Sequence, residues 1–403
     1  MEANIRPAGL VIASETSRTP LGNCARHAGS WLRDQAFPLW IERGVDWEGG
    51  GYFDSLDPTT RENAASIKRL RTLTRQIYAF AEAARLDVPR AREAVDHGLV
   101  FLLGRARAPD GGFFSSFDLE GRPTSTALDT YDLAFVLFAL RHAFGLTGAE
   151  RLVDEALGLL AFMETVLRNR HGGFAEGRPD GLPRRQNPHM HLFEACLAWM
   201  EVDSGGPFRR VADELVHLFA TRFVDPGTGA VLEYFGPDLT LDLAAQREAV
   251  EPGHLYEWIW LLSRYEKLTG ERQRIAADRL HSFAHRHGSN RESGLLFGEL
   301  DRVGTVRDAS VRLWPHAEWL RAEIVRLGCD REGDPAPALA AFVALRRFLD
   351  AAPAGLWVER FDAPSRSFVR GPAPATSLYH IVGALTVLSN AGDPAHDASA
   401  VCT

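Results

Sequence analysis

Lysine is almost absent from this chain. Only Lys68 and Lys267 occur among 403 residues, and all other cationic side chains except histidine are arginines. A Schiff-base mechanism through lysine, including pyridoxal phosphate chemistry, therefore has few candidate residues. The formal net charge of −8 also argues against the clustered basic surface that nucleic acid or an anionic membrane requires. The composition indicates a neutral or small polar partner, with neither nucleic acid nor a membrane.

Cysteine and long apolar runs are scarce as well. The four cysteines lie far apart and form no C-x-x-C pair, so no disulfide framework is expected and a cytoplasmic location follows. No apolar run approaches the 18 or so residues of a membrane span. The first twenty residues show no convincing cleavage pattern and are expected to form a loose N-terminal segment.

Glycine-rich loops recur along the whole chain at intervals of about sixty residues. Each places glycine before an aromatic or aliphatic residue. They read "GGGYFDSLD" (49–57), "DGGFFSSFD" (110–118), "HGGFAEG" (171–177), "TGAVLEYF" (228–235), "SGLLFGELD" (293–301) and "AGLWVERFD" (354–362). An internal period of this kind indicates a repeat architecture.

Two helix-like stretches lie between successive loops, with apolar residues at spacings of three and four. The first of each pair is often the more apolar, as in "YDLAFVLFAL" and "HLYEWIWLL", which predicts the inner position. Six inner and six outer helices predict an all-α fold, a closed (α/α)6 toroid forming one domain over residues 1–403. An open solenoid of helix pairs has the same periodicity.

Polar and aromatic residues occur near the start of each predicted inner helix. Because parallel inner helices bring these ends together, we expect the side chains to meet at one mouth. They are Arg75, Tyr131, Asn187, His191, His254, Glu257, Trp314, His316, Glu318 and His380. Any one of them alone is more simply explained as a cap or a solvated side chain. Their phase with the repeat favours a shared site.

A metal centre is the weaker interpretation of these histidines. His189 and His191 are two residues apart, which does not place them on one helical face. His254 and Glu257 do share a face, but a di-iron bundle needs two such pairs. The chain also has no phosphate-binding glycine motif and no G-x-S-x-G elbow. Histidine acid/base chemistry is therefore the main enzymatic option.

Four segments in order, "NPHMHLFEA", "PGHLYEW", "WPHAEW" and "SLYH", resemble the signature segments of the N-acylglucosamine 2-epimerase superfamily. The resemblance extends from about Trp31 to Leu388. It implies an (α/α)6 barrel and a metal-independent reaction. "QNPHMHLFEA" and "PATSLYHIVGAL" look closest to the mannose isomerase branch.

The resemblance also implies roles for individual residues. His254 and His380 match the general acid/base pair, and Glu257 matches the carboxylate that orients and tunes His254. The positions that match sugar-binding or pocket-lining residues are Arg75, Tyr131, Asn187, His191 and Trp314, with His316 and Glu318 added from the same segment. Glu194 is expected to support His191, and His189 is expected to be a bystander. His316 departs from the family, where glutamine is expected in many members.

The expected function is reversible conversion of free D-mannose to D-fructose, by a monomer or homodimer acting on a monosaccharide. A 2-epimerase acting on mannose or glucose, an oligosaccharide or an N-acylhexosamine uses the same histidines. An inverting glycosidase on the same toroid, with Glu257 and Glu318 as its carboxylates, is an alternative of another class. A non-catalytic sugar-binding protein is a third.

Overall fold

The structure, a computed structural model, describes residues 19–241, 248–329 and 333–391. The expected loose segment 1–20 therefore lies almost wholly outside the described residues. Twelve α-helices of ten or more residues occur in the described ranges. They are α1 (Pro20–Trp31), α2 (Leu70–Arg85), α3 (Ala91–Val100), α4 (Thr130–Thr147), α5 (Arg151–Val166), α6 (Asn187–Met200), α7 (Pro207–Leu218), α8 (Pro252–Thr269), α9 (Arg274–His287), α10 (Trp314–Gly328), α11 (Ala336–Asp350) and α12 (Thr376–Ala391). The predicted richness in helix is confirmed.

Three of the helices continue into π-helical turns. Helix α1 is followed by Leu32–Ala36 and Trp40–Gly44, with Phe37–Leu39 in α conformation between them. Helices α3 and α7 are followed by Phe101–Arg105 and Phe219–Phe223. Each extension carries its helix to the start of the next glycine loop.

Burial separates the helices into two groups. Every residue of α6 after Asn187 is buried, whereas α9 buries only Leu280, Phe283 and Ala284. A helix that is buried all round belongs to the interior, and a helix with one narrow apolar stripe covers it from outside. The predicted inner position of the more apolar member of each pair agrees with this pattern.

The buried helices contact one another in a closed order. Helix α2 contacts α4, α4 contacts α6, α6 contacts α8, α8 contacts α10 and α10 contacts α12. Helix α12 in turn contacts α2, so the order returns to its start. An open solenoid leaves its first and last repeats apart, which is not the arrangement seen here.

The glycine loops close as tight turns with similar geometry. Isolated antiparallel bridges join Val45 to Tyr52, Arg107 to Phe113, Arg168 to Phe174, Val224 to Val231 and Ser289 to Leu296. Gly50, Gly111 and Gly172 have φ values of 92°, 95° and 97°. Glycine adopts this region without steric cost, which explains why the loops repeat this residue. The sequence repeat is therefore a structural repeat.

Short antiparallel strands link each unit to the next and surround one end of the inner helices. The strands are β1 (Ser55–Leu56), β2 (Lys68–Arg69), β3 (Ser116–Phe117), β4 (Pro123–Ser125), β5 (Leu128–Asp129), β6 (Gly177–Arg178), β7 (Arg184–Arg185), β8 (Tyr234–Phe235), β9 (Ala249–Val250), β10 (Glu299–Asp301), β11 (Val306–Asp308), β12 (Val311–Arg312), β13 (Arg360–Asp362), β14 (Ser367–Val369) and β15 (Ala373–Pro374).

The strand that enters each inner helix pairs with a strand of the following unit. The sheets are β2-β3-β4, β5-β6, β7-β8, β9-β10-β11 and β12-β13-β14. The sixth sheet pairs β15 with β1, through Ser55 with Pro374 and Leu56 with Ala373. This last pairing joins the strand before the last inner helix to a strand of the first unit. The strands thereby gather the N-terminal ends of the inner helices at one face.

Two further expectations concern cysteines and membranes. Cys24 and Cys196 are free thiols, whereas Cys329 is disulfide-bonded. Among the described residues, no helix combines the length and the apolar character needed to cross a membrane.

Candidate active site

Three inner helices that carry site residues have proline in their first turn. Pro188, Pro252 and Pro315 lie at the first or second helical position of α6, α8 and α10. Proline suits this position because its missing N–H would have no intrahelical partner there and its φ is already helical. These prolines set the start of each helix, so the residues after them reach the same face of the molecule.

His254 lies in the first turn of α8 and is held by Glu233. The Glu233 Oε1 atom is 2.9 Å from His254 Nδ1. The other Glu233 oxygen accepts a hydrogen bond from Gln186 Nε2 at 3.0 Å. Burial lowers the pKa of His254, but the charges of Glu233 and Glu251 outweigh it and raise the pKa to about 9. His254 is therefore protonated at neutral pH, with its Nε2 side left for a ligand.

Glu257 does not hold His254 as predicted. Both of its carboxylate oxygens are buried and without a hydrogen-bond partner. Its contribution to His254 is a longer-range charge that helps to raise the pKa, while the orienting hydrogen bond comes from Glu233. The physical reason is that Nδ1 of His254 faces the segment just before β8, where Glu233 supplies the carboxylate.

Glu257 instead lies between two histidine–carboxylate pairs. Polar atoms of Glu257, Glu318 and His380 lie within 4.8 Å of one another, and so do those of Glu257, His191 and Glu194. Burial raises the pKa of Glu257 well above its ordinary value, and the nearby Glu318 and Glu194 raise it further. A buried carboxyl group whose oxygens have no hydrogen-bond partner among the described residues is suited to hydrogen-bond a ligand.

His380 lies in the second turn of α12 and pairs with Glu318. The distance from His380 Nδ1 to Glu318 Oε1 is 2.6 Å. Burial lowers the pKa of His380 well below its ordinary value, and the cations Arg75 and Arg321 contribute. His380 is therefore neutral at neutral pH. Glu318 was predicted to bind substrate, but its second oxygen accepts from Arg321 at 3.0 Å, so both of its oxygens serve the protein.

His191 is the third histidine of the site. Its Nδ1 lies 3.2 Å from Glu194 Oε2, so the predicted support from Glu194 is confirmed. Its ring packs against Tyr131 and Phe135 at centroid distances of 4.9 and 4.6 Å. Burial lowers the pKa of His191 to about 4, despite the opposing effect of Glu194.

Arg75 is a buried cation without a carboxylate partner in the described part of the chain. It donates to the hydroxyl of Tyr131 and, at 3.2 Å, to the carbonyl of Thr376. Its guanidinium also lies 4.3 Å from the ring centre of Phe135 and 4.9 Å from that of Tyr379. A positive charge that no carboxylate neutralises stabilises negative charge that develops nearby.

Trp314 lies beside both acid/base candidates. Its ring centre is 5.0 Å from that of His254 and 5.4 Å from that of His380. Helix α8 admits this indole because residue 253 is glycine, where a Cβ would lie 2.6 Å from the ring of Trp314. The half-exposed ring is a flat apolar surface with a protonated histidine and a neutral histidine as its neighbours.

His316 does not line the pocket, contrary to expectation. Its Nε2 accepts from the N–H of Leu296 at 2.9 Å, and its Nδ1 lies 2.9 Å from the carbonyl of Arg312. With both ring nitrogens bonded to backbone, burial lowers its pKa to about 4 and leaves no atom for substrate. His189, the expected bystander, binds Phe174 N and Arg185 O in the same way. His189 on α6 and His316 on α10 therefore each join a glycine loop to an inner helix through a hydrogen bond.

Asn187 is placed at the first position of α6, and its Oδ1 has no hydrogen-bond partner. Such an atom is able to accept a hydrogen bond from a ligand, and the sugar-binding role of Asn187 stays a prediction. Among the described residues, the groups able to hold a metal ion are His191 with Glu194 and Glu257, His254 with Glu233 and Glu251, and His380 with Glu257 and Glu318. In each of them a carboxylate already bonds the histidine through Nδ1, which is the arrangement of an oriented acid or base.

Sequence reasoning missed Glu233, Gln186, Arg321 and Tyr379. Glu233 carried a usable signal, because it is the single charged residue in the otherwise apolar segment "AVLEYF". A charge that is buried in such a segment needs a partner. Tyr379, next to His380, donates its hydroxyl to Glu194, which no local pattern predicts.

A family model described as N-acylglucosamine 2-epimerase (GlcNAc 2-epimerase) matches residues 51–384. The chain belongs to the N-acylglucosamine 2-epimerase family. This confirms the family that the four sequence segments indicate, and the chain is accordingly an enzyme of that family.

Individual relatives of this family member support the same assignment. It is 37% identical over 381 residues to a Rhizobium meliloti (strain 1021) protein named mannose-6-phosphate isomerase, which covers 91% of this chain and 97% of that protein. The structure of cellobiose 2-epimerase from Spirochaeta thermophila DSM 6192 is similar with a TM-score of 0.81 at 21% identity, over 94% of this chain and 99% of that chain. A crystal structure of D-mannose isomerase has a TM-score of 0.78 at 22% identity, with the same coverage. Isomerisation or epimerisation of a sugar is the class of reaction this family supports.

Proposed function

We propose that this enzyme interconverts free D-mannose and D-fructose through a cis-enediolate, in a single-domain (α/α)6 toroid. The closed order of contacts among α2, α4, α6, α8, α10 and α12 supports the toroid. One observation carries the reaction: His254 and His380 are the two ring neighbours of Trp314 and are held in opposite protonation states.

His380 is the base in this mechanism. Glu318 occupies its Nδ1, so Nε2 is free to take a proton, and the ring is neutral because its pKa is low. The hydrogen on C2 of an open-chain aldose is acidic because the C1 carbonyl accepts the charge. Removal of this C2 proton by His380 Nε2 gives the enediolate, and return of the proton to C1 gives the ketose.

His254 and Arg75 manage the charge on oxygen. The protonated His254 donates a proton from Nε2 to the C1 oxygen as charge develops there, and it later takes the proton from the C2 oxygen. Arg75 stabilises the enediolate because its positive charge has no carboxylate partner in the described chain. Both histidines end each turnover in their starting state, so the reaction needs no redox partner.

The remaining site groups are suited to holding and opening the sugar ring. Asn187 Oδ1 and both oxygens of Glu257 lack protein partners, so sugar hydroxyls would satisfy them. His191 is neutral and oriented by Glu194, which allows it to move the proton of the C1 hydroxyl during ring opening. Tyr131 packs against His191 and anchors Arg75.

The charges of a cleft next to the Glu233 segment support a free rather than a phosphorylated sugar. A cleft of about 530 Å³ lies beside the segment that carries Glu233, and its lining includes Arg185, Arg307, Glu176 and Glu299. Arg185 is already paired with Glu176 at 2.7 Å. Carboxylates therefore balance the cations of this cleft, which is unfavourable for a phosphate.

A disaccharide 2-epimerase is the second candidate, and the same cleft favours it. Its volume and its mixed lining of Tyr234, Leu182, Pro183 and charged groups suit a second sugar ring. An epimerase would return the proton to the opposite face of C2 and would form no ketose.

An inverting glycosidase is not supported. Carboxylate oxygens of Glu257 and Glu318 lie within 4.8 Å of each other, closer than the separation of about 6.5–9.5 Å that leaves room for the attacking water. Glu318 is also hydrogen-bonded through both oxygens.

The proposal is tested by incubating the enzyme with D-mannose, mannose 6-phosphate, D-glucose, cellobiose and N-acetylglucosamine in deuterated water. We expect fructose from mannose, deuterium at C1 or C2, and little turnover of the phosphate. An epimer without any ketose would replace the proposal by the second candidate.

Substitution of the two histidines gives the complementary test. His254→Asn and His380→Asn should each lower kcat on mannose by about 10²–10⁴-fold, the usual range for general acid/base groups. His285→Asn, on the exposed face of α9, is the matched control and should leave kcat unchanged. Near-normal turnover by either site variant would show that the acid/base assignment is wrong.

A further inference from the structure

A buried arginine connects the carboxylate partners of two site histidines. Arg321 follows Glu318 by one turn of α10 and is 5% exposed. Its Nη1 donates to Glu318 Oε2 at 3.0 Å, and its Nη2 lies 3.6 Å from Glu194 Oε1. The guanidinium lies 4.6 Å from the ring centre of Trp260. It also packs on α12 at Gly383, where a Cβ would be 3.3 Å from Cζ. Its position is therefore fixed from three helices.

The far oxygen of each carboxylate holds a histidine. Glu318 Oε1 bonds His380 Nδ1 at 2.6 Å, and Glu194 Oε2 lies 3.2 Å from His191 Nδ1. The five side chains form a continuous series across α12, α10 and α6. Arg321 is its centre, and a histidine lies at each end.

The third site histidine has no such arrangement. Glu233, which holds His254, receives its second hydrogen bond from the neutral amide of Gln186. Its negative charge therefore acts on His254 undiminished. A carboxylate that shares its charge with a guanidinium stabilises an imidazolium less, because part of its field is already cancelled.

We propose that Arg321 is a positioning residue that holds Glu318 and Glu194 together and keeps His380 neutral, so that His380 can act as base while His254 stays charged. The inference rests on the proposed function for its catalytic meaning, but not for its geometry. The direction of the shifts agrees: the pKa of His254 is raised to about 9, whereas that of His380 is lowered well below its ordinary value.

Other charged groups face His380 and enter the same balance. They are Arg75 from α2, His191 and Glu194 from α6, Glu257 from α8, and Glu318 and Arg321 from α10. Those that face Arg321 are Tyr78 from α2, Glu194 from α6, Arg264 from α8, Glu318 on its own helix and Tyr379 from α12. Of the cations in these two sets, Arg321 makes the direct bond to the carboxylate that holds His380.

Histidine titration by NMR of the whole, substrate-free protein tests the inference directly. His380 is assigned by the loss of its signal in His380→Asn. In Arg321→Gln we expect the pKa of His380 to rise by about one unit or more, since an adjacent charge shifts a pKa by about 1–3 units. Arg321→Lys keeps the charge and should leave the His380 titration close to wild type.

Arg141→Gln is the matched control. Arg141 lies on α4 and is also largely buried, but it bonds the carbonyl of Ala198 and the carboxylate of Glu201 rather than a site carboxylate. It should not shift the titration of His380. An unshifted His380 in a folded Arg321→Gln protein would overturn the inference.

Kinetics then separate this inference from the proposed function. In Arg321→Gln the acid limb of the kcat profile should move to higher pH by the same amount, so kcat falls about tenfold per unit on the acid side and recovers at higher pH. If the pKa of His380 rises in Arg321→Gln but the wild-type protein does not turn over mannose, the positioning role is supported and the proposed function is rejected. A flat loss of kcat at all pH values, with His380 unshifted, rejects the role. If Arg321→Gln does not fold, Arg321→Lys serves as the test. A rise of the His380 pKa by about one unit or more in Arg321→Lys, which keeps the positive charge, would reject the positioning role.

Discussion

At the scale of single residues, two histidines that each bind a carboxylate through Nδ1 reach opposite charge states. Glu233 bonds His254 and has no other cationic partner among the residues that the structure describes. Glu318 bonds both His380 and Arg321, so the positive charge of Arg321 partly cancels its effect on His380. Burial acts on both rings in the same direction. The difference therefore comes from the charges around each ring: Glu233 and Glu251 raise the pKa of His254, whereas Arg75, His191 and Arg321 lower that of His380.

Glu233→Gln should shift the basic side of the pH profile. Because the pKa of His254 is about 9, its protonated form is present below that pH and is lost as the pH rises through it. Removing the charge of Glu233 lowers this pKa, so the fall in kcat at high pH should begin at a lower pH. Glu323→Gln is the control, since Glu323 is a buried carboxylate that bonds His281 outside the site. An unmoved basic limb would show that Glu233 does not tune His254.

His316→Ala should reduce stability and spare catalysis. The imidazole bonds Leu296 N and Arg312 O, and its loss leaves the buried N–H of Leu296 without this partner and removes the contact to the part-buried carbonyl of Arg312. We expect the free energy of unfolding in urea to fall by about 1–3 kcal/mol, with kcat/KM on mannose within about twofold of wild type. A large loss of kcat/KM at unchanged stability would return His316 to the pocket.

Stability should fall as the pH is lowered from about 6.5 toward 4. His189, His191 and His316 each have a pKa of about 4 in the folded protein, because burial disfavours their charged form. The unfolded chain binds these protons at about pH 6.5, so it gains protons before the folded chain does and is favoured. The stabilisation is complete above pH 6.5 and is lost as the pH falls to about 4. Urea unfolding at each pH measures the slope, which should be smaller in His316→Gln; an equal slope would contradict the assignment.

At the scale of elements, the sequence predicts where the inner helices begin, but it does not predict how these helices contact one another. The helix starts follow from proline at the first turn and from apolar residues on all sides, which are local signals. The approach of α10 to α8 depends on Gly253, and its packing role shows only once Trp314 is seen beside it. Glycine near a helix start is also common in caps and tight turns, so its position in the sequence does not indicate a contact with an indole.

Gly253→Ala should therefore disturb the site. The added methyl group would lie 2.6 Å from the Trp314 ring, and the indole would have to move away from His254. We expect kcat/KM on mannose to fall by tenfold or more, because a loss of about 1.4 kcal/mol of transition-state stabilisation is enough for a tenfold decrease. Gly158→Ala is the control, because no atom lies within 4 Å of its added Cβ. That variant should gain up to about 1 kcal/mol of stability with unchanged kinetics. Equal kinetics in both variants would contradict the packing argument.

At the scale of the whole molecule, the first and last helical repeats of the described chain contact each other. Helix α12 packs against α2 and α1, and β15 pairs with β1. In an open array each repeat contacts only its neighbours, so the end repeats can unfold alone. A closed order gives every inner helix two inner neighbours, so local loss of structure should be coupled to the whole.

Leu56→Ala tests this coupling at the closing sheet. Leu56 is fully buried in β1 and pairs with Ala373, and its truncation should cost about 2–5 kcal/mol. Circular dichroism and tryptophan fluorescence should still report one coincident urea transition. Leu300→Ala, fully buried in the central β10, is the comparison and should give the same single transition. Separate transitions in Leu56→Ala alone would indicate that the ends unfold independently.

The sequence by itself determined the repeat, the helix-rich class, the family and many of the polar residues that the fold brings together. These follow from short-range patterns: glycine at left-handed turns, apolar spacing along helices, and polar residues in phase with the repeat. It also identified Glu194 as the support of His191, because both lie on one helix three residues apart.

Only the tertiary structure decided which carboxylate holds which histidine. Glu233 reaches His254 across 21 residues, and Glu318 reaches His380 across 62. It also showed that His316, on α10, bonds a glycine loop rather than facing the pocket. Charge states depend on distances and burial in space, and residues far apart along the chain set them at the point where the inner helices meet.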